Sequence, residues 1–548
     1  MKLRLLALAI AGVATLLSAG TAAANVYTTT GPTLASGSSP FSAGCGGPGE
    51  GFSAPSEVPG VNFLNTEVEP WFEVNPANPQ NLVGIWQQDR WSDGGSHGLV
   101  GGVSHNGGVS WSKSWPAFSN CTGGTAANGG GYERASDPWV SFAPDGTLHA
   151  ISISFDRSTS HNAVLTSRST DGGDTWFPPT TLRQDSSNGG PDANLFNDKE
   201  SITADPTTTD PDHAYVYAVW DRIESPNNNP LTPPQAYANA LAFRGPTWFA
   251  RSKDNGKSWE TAGKIFAPQA SRTQTIGNQI VVLPNGTLVD GFTYIKGSNG
   301  QQVSKGDSAA VIFSTNKGAT WSSDATIIAN QGDTGNRDPE PVNCPGDNTP
   351  STPCALVRTG NGIPDFAVDY SRGATNGNMY AVWQTHQSFT VLGNPVDDTI
   401  LLSRSTDGGH SWSTPVKVNH TPTGYNEQAF TPSVHVADDG DVAVTYYDFR
   451  NDAQGDSALS TDYWVAHCHA ATSDCSQQSD WPAAQENRLT PPGGSFDMRS
   501  APYAIGYFTG DYEGLDNLGN TLTPFFVQAN GGTHATPLTD AFYSTAGP

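Results

Sequence analysis

Five eight-residue segments of the chain follow one pattern, Ser-x-(Asp/Asn)-x-Gly-x-(Ser/Thr)-Trp: Ser104–Trp111, Ser169–Trp176, Ser252–Trp259, Ser314–Trp321 and Ser405–Trp412. These residue types make a tight hairpin, in which the Asp or Asn oxygen accepts from nearby backbone N–H groups, Gly takes a positive φ and Trp packs back onto the sheet. A short unit of this kind cannot bury its apolar face alone, so a chain that repeats it folds as an array of stacked units.

A second recurrence lies ahead of the segments: an extended run, a turn, and another run ending in an aromatic residue. Two copies carry the turns Pro144-Asp145-Gly146, between Pro138–Phe142 and Leu148–Phe155, and Pro284-Asn285-Gly286, between Gln279–Leu283 and Leu288–Tyr294. Further copies join Pro70–Val74 to Asn81–Trp86, Ser201–Ala204 to Ala214–Trp220, Phe366–Asp369 to Met379–Trp383, and Ser433–Val436 to Val442–Tyr447. A last copy, Tyr507–Leu515 with Leu522–Gln528, ends in Ala541–Ser544 with no eight-residue segment behind it. Period-two patterning makes these hairpins, seven in all. With 60 Gly, 40 Pro and 14% charged residues, the composition suits short strands and turns, and the class is all-β.

The eight-residue pattern resembles the Asp-box of the sialidase (BNR-repeat) superfamily. That resemblance implies a single β-propeller of four-stranded blades, with the boxes joining third to fourth strands in a structural role. Sialidases have six blades; the repeats here favour seven over six. Because the last unit stops after its third strand, a strand near Val26–Thr30 is expected to complete it and close the ring. The expected organisation is a signal peptide over 1–24, an N-terminal extension over 25–62, and the propeller over 63–548. The resemblance also implies an arginine triad for a substrate carboxylate, a Tyr nucleophile activated by Glu, and an Asp acid/base. The family's aromatic-Arg-Ile-Pro motif is missing; Tyr132-Glu133-Arg134-Ala135-Ser136-Asp137-Pro138 comes nearest.

The functional face is expected opposite the boxes, where the connections from Ile223 to Pro246, Ile328 to Pro364, Val416 to Thr431 and Asn451 to Thr461 are long. First strands begin there with Glu67 and Glu69, Glu133, Arg134 and Asp137, Asp198, Lys199 and Glu200, Asp365, and Asp511 with Glu513. Second strands end there in Asp89-Arg90, Asp156-Arg157, Asp221-Arg222 and Asp448-Phe449-Arg450. Arg90, Arg134, Arg157, Arg222 and Arg450 are the candidates for binding a substrate carboxylate; Tyr512, Glu513, Asp137 and Glu200 are the candidates for chemistry. The Asp-Arg pairs have an equal structural reading, as ion pairs repeated from unit to unit.

Lys2 and Arg4, the apolar run Leu5–Leu17 and Ala22-Ala23-Ala24 form a secretory leader, and no stretch reaches the roughly 20 apolar residues of a membrane span. Secretion suits six cysteines as three disulfides, with proximity favouring Cys344–Cys354 and Cys468–Cys475 and leaving Cys45–Cys121. His467-Cys468-His469 admits a metal-site reading instead, and the acidic opening admits calcium, though no calcium-loop motif supports it. No cofactor motif is present. The net charge of −25, or −27 without Lys2 and Arg4, disfavours nucleic acid as a partner. The expected partner is an extracellular glycan, and the sequence leaves the oligomeric state open. Two functions follow: a secreted glycoside hydrolase of exo-sialidase type, or a non-catalytic propeller binding a glycan, peptide or cell-surface partner.

Overall fold

The eight-residue segments fold as the hairpins their residues encode. The Ser169 hydroxyl donates to Asp171 Oδ1 (2.7 Å) and accepts from Gly173 N (2.9 Å), and Asp171 Oδ1 accepts from Thr175 N (2.9 Å). Gly172 and Gly173 take φ of 77° and 101°, which glycine adopts without a Cβ clash. The same three bonds recur around Asn106, Asp254, Asn316 and Asp407.

A computed structural model of the chain describes residues 27–42, 44–45, 60–185, 192–210, 212–225, 244–268, 273–297, 304–332, 340–342, 355–360, 362–391, 394–422, 428–453, 458–491, 494–531 and 538–548. The leader and the Cys344–Cys354 pair lie outside these residues. The protein is all-β, and among the described residues most strands fall into seven antiparallel units of four to six strands, the first two joined in one eight-stranded sheet through Ser96 and Ala135. Their first strands are Asn62–Val74, Arg134–Phe142, Leu195–Ala204, Thr273–Val282, Asp365–Val368, Ala429–Val436 and Gly514–Leu518. Third strands of units one to five end at Ser104, Ser169, Ser252, Ser314 and Ser405, so each hairpin joins a third strand to a fourth. In unit six the third strand, Ser460–Cys468, instead ends at the Cys468–Cys475 disulfide.

Among the described residues the apolar clusters lie between neighbouring units. Trp71 of unit one stacks on Trp139 of unit two, with ring centroids 3.3 Å apart, in a cluster that continues through Ile202 and Trp220 of unit three. Further clusters join three to four (Val219, Ile280), four to five (Val311, Phe366), five to six (Val382, Val444) and six to seven (Tyr463, Phe526). The last joins seven back to one, where Phe72 stacks on Phe525 at 5.1 Å.

Unit seven takes its fourth strand from the N-terminal segment: Thr33 pairs with Tyr543 and Leu34 with Phe542, while Thr28–Thr29 pairs with Ala546–Gly547. The pairing strand therefore lies a few residues beyond Val26–Thr30. The Cys45–Cys121 disulfide ties the same segment to the connection after unit one. One element is not anticipated by the repeats: Ala355–Arg358 pairs in parallel with Gly506–Phe508, in a small sheet with Glu340–Val342 and Tyr503–Ala504. Tyr507 thus belongs to this sheet, and the first strand of unit seven starts only at Gly514. Among the described residues no helix is long and apolar enough to cross a membrane.

Asp540 holds the closing segment through bonds from Ser36 Oγ and Gly37 N, both 2.8 Å, and from Asn530 Nδ2. Asp540→Ala leaves these donors without their acceptor, and chemical denaturation should show a loss of about 1–3 kcal/mol.

Candidate functional site

The first strands share an irregularity at one end. Pairing with the second strand shifts between Val68 and Trp71, Ser136 and Trp139, Asp198 and Ser201, Ile276 and Gln279, and Phe430 and Ser433. Within each shift one residue adopts a left-handed φ: Glu69 (53°), Asp137 (56°), Lys199 (43°), Gly277 (71°) and Thr431 (49°). A side chain costs roughly 1–2 kcal/mol in this region, and four of the five positions carry one. Such bulges re-aim side chains, and strain of this kind concentrates at functional sites.

Three of these side chains meet at Tyr512. The Lys199 ammonium sits 3.6 Å from the Tyr512 ring centroid and 4.8 Å from that of Trp139. The Tyr512 hydroxyl donates to the Pro138 carbonyl at 3.2 Å, beside Asp137. Burial raises the Tyr512 phenol well above its usual range, and the fields of Glu69, Asp137, Glu200 and Asp511 add to the rise. Arg358 grips Asp511 through Nε (3.0 Å) and Nη2, and its guanidinium lies 4.3 Å from the Phe508 ring centroid. A Cβ on Gly360 would fall 2.5 Å from the Asp511 carbonyl oxygen, so this close approach needs glycine.

Three carboxyls of the cluster, Glu69, Glu200 and Asp198, are raised above their usual range. Burial pushes Glu69 and Glu200 well above the usual range, with Asp137 adding to both; Arg90 and Arg358 moderate Glu69. Both Glu200 oxygens are buried without a hydrogen-bond partner. Half-buried Asp198 is pushed up to about 7, by burial and then by Asp137, against the pull of Arg358. A carboxyl that titrates near neutrality and keeps some access to solvent suits acid/base chemistry.

Of the proposed catalytic residues, Asp137, Glu200 and Tyr512 come together, while Glu513 does not. Its carboxylate turns away on the alternate face of the strand and accepts from the Tyr447 hydroxyl (2.8 Å) and Val527 N (3.2 Å). The arginines divide more sharply. Arg90 faces the cluster through Gln87, which donates to Glu69, and lies 5.2 Å from the Phe508 ring centroid. Arg134 (2.7 Å) and Arg157 (2.8 Å) share Asp93, Arg222 takes Asp185, and Arg450 takes Asp448 and Glu486. Arg134, Arg222 and Arg450 also lie over Trp91, Trp248 and Trp464 at 4.3, 4.5 and 3.8 Å. Four of the five are thus committed to local ion pairs at three separate places, and only Arg450 pairs with the Asp of its own sequence motif.

Arg358 carries no sequence signal, because it lies in a Gly- and Pro-rich connection and its partner is 153 residues away. Asp198 is legible as a charged strand start, but its raised pKa comes from burial in the assembled sheets and then from Asp137 of another unit. The His467-Cys468-His469 segment is committed to other contacts: Cys468 is in a disulfide, the His467 ring stacks on Tyr27 at 3.5 Å, and His469 Nδ1 meets Asp441 at 2.5 Å. Among the described residues, Cys45, His97 and Cys121 are the one group of three potential metal-ligand atoms within 4.8 Å, and its two sulfurs are joined to each other. The central carboxylates do not gather in this way.

No protein-family model and no curated protein matches the chain. Several solved structures resemble it. A Hadza microbial sialidase has 14% identity over 86% of this chain and 75% of its own, with a TM-score of 0.44. The α-L-arabinanase of Penicillium chrysogenum has 14% identity over 72% and 94%, with a TM-score of 0.41. The intramolecular trans-sialidase of Ruminococcus gnavus has 10% identity over 88% and 94%, with a TM-score of 0.41.

Asp198 at about 7, and Asp365 and Asp448 at about 6, stand above the ordinary 3.8 because of burial. A carboxyl whose pKa rises on folding stabilises the fold at low pH and loses that contribution as pH climbs through the folded value. The melting temperature should therefore be higher at pH 5 than at pH 8. Asp198→Asn should narrow the difference by removing the fall near pH 7, as scanning calorimetry at both pH values would show.

Proposed function

We propose that the seven units are the blades of a single propeller over residues 63–548, closed by the N-terminal extension, and that the protein is a secreted glycoside hydrolase acting on extracellular glycans at the central carboxyl cluster. The observation that supports this reading is Asp198, a half-buried carboxyl pushed up to about 7 beside Asp137 and Glu200. Two disulfides among the described residues accord with export.

In this reading Asp198 gives its proton to the glycosidic oxygen as the bond to the anomeric carbon breaks. Water bonds to that carbon and passes a proton to Asp137, so both carboxyl groups end one proton exchanged and a later transfer resets them. The high phenol pKa of Tyr512 favours a hydrogen-bond donor over a phenolate nucleophile, and Glu200 serves as a neutral neighbour. The sialidase variant would need arginines converging on a substrate carboxylate. Here Arg134, Arg157, Arg222 and Arg450 are engaged in ion pairs elsewhere, which favours neutral sugars over sialic acid.

The purified mature protein should be assayed on a fluorogenic sialoside beside neutral and uronic glycosides. Turnover of a neutral glycoside is expected, with kcat/KM falling above about pH 7 and lost by at least about 100-fold in Asp198→Asn. Tyr512→Phe should lower it less. No turnover of any substrate by folded protein would leave the non-catalytic binding propeller as the account of this opening.

A further inference from the structure

At the opposite end of the units, where the eight-residue hairpins lie, a cleft of about 430 Å³ opens between units one and two. Its lining includes Lys113, Trp115, Asn128, Asp174, Trp176 and Phe177. The volume lies within the ~300–1,000 Å³ of small-molecule sites, and the lining has their character, aromatic faces with a few polar groups.

Both walls are rigid. One is the connection after unit one, folded so tightly that a Cβ on Gly130 would meet the Ala117 carbonyl oxygen at 1.8 Å and one on Gly124 would meet that of Gly130 at 1.9 Å. Asn128 holds this wall, accepting from Thr125 N (2.7 Å) and Gly130 N (3.1 Å) and donating to the Gly123 carbonyl (3.0 Å). The other wall is the hairpin of unit two with Phe177 and Pro178 behind it. Trp176 Nε1 is fixed by Ser114 Oγ at 3.1 Å, which sets the indole plane. Phe177 is 44% exposed.

The charges of the walls are already engaged. Lys113 Nζ donates to the carbonyls of Gly37 (3.0 Å) and Ser38 (2.6 Å), and Asp174 faces the His105 ring at 3.1 Å. Asp174 is nonetheless about half exposed, and a carboxylate has more acceptor sites than one imidazole uses. Aromatic planes held in place beside one acceptor carboxylate match a pyranose, which presents an apolar C–H face and a rim of hydroxyl donors. The net charge of −25 opposes anionic polysaccharides.

We propose that this cleft is a second, non-catalytic glycan-binding site, which stacks neutral pyranose units on Trp115, Trp176 and Phe177 while Asp174 accepts from their hydroxyls. It lies away from the carboxyl cluster and does not depend on that cluster being catalytic. A glycan chain held here would be retained beside the protein while its ends remain free to reach the other face.

The test is calorimetric titration and ligand-observed NMR of the mature protein with cellohexaose, xylohexaose, maltohexaose and laminarihexaose, with hexagalacturonate and sialyllactose as charged comparators. At least one neutral hexasaccharide should bind saturably with Kd on the order of 1 mM or tighter. Phe177→Ala and Asp174→Ala, both on the exposed rim, should each weaken binding by at least about fivefold, and Tyr512→Phe should leave it unchanged. The proposal is overturned by the absence of saturable binding of every neutral oligosaccharide. It is equally overturned by preference for the charged comparators, by indifference to both rim variants, or by loss of binding in Tyr512→Phe, which would assign the ligand to the central opening.

Discussion

Face-to-face apolar packing between neighbouring units is the interaction on which everything else rests. A single four-stranded sheet with two apolar faces is insoluble in isolation, and here each face is covered by the next sheet, from Trp71 on Trp139 round to Phe72 on Phe525. Among the described residues the clusters run from unit to unit, and one of them brings Phe525 of unit seven against Phe72 of unit one. The N-terminal segment bears on this directly, because its short strand covers the outer edge of the last unit and lets the two ends of the chain be fastened to one sheet.

That arrangement also explains the candidate site. First strands from different units come side by side, so residues far apart in sequence share one small volume. The bulges then turn Glu69, Asp137 and Lys199 toward it at a conformational cost the surrounding sheets can bear. Crowding carboxyls where water is scarce raises their pKa values, and the cations nearby only partly offset this. Chemistry at the cluster and the pH dependence of stability thus have one origin.

The recurring Asp-Arg dipeptides show how a pattern can be legible and its meaning hidden. Their repetition marks the ends of second strands, as the structure bears out. Arg157 takes Asp93 and Arg222 takes Asp185, both from other segments, while Arg450 keeps Asp448 of its own motif, with indole faces beneath Arg222 and Arg450. Asp221 meanwhile accepts from Thr275 and Asn278 of the next unit. Sequence spacing reports the strand position of such residues but says nothing about which neighbouring unit supplies the partner.

The sequence by itself determined what depends on local chemistry. The five hairpins follow from Ser, Asp or Asn, and Gly at fixed offsets, and the all-β class follows from alternation and turns. Tertiary structure decided what depends on convergence. It set the parallel pairing that brings Arg358 to Asp511, the turning of Glu513 away from Tyr512, the pKa of Asp198, and the aromatic cleft between units one and two. The reason is range: a turn is encoded within eight residues, whereas a shared field or a cleft wall is made by residues tens to hundreds of positions apart, related only by the way the sheets stack.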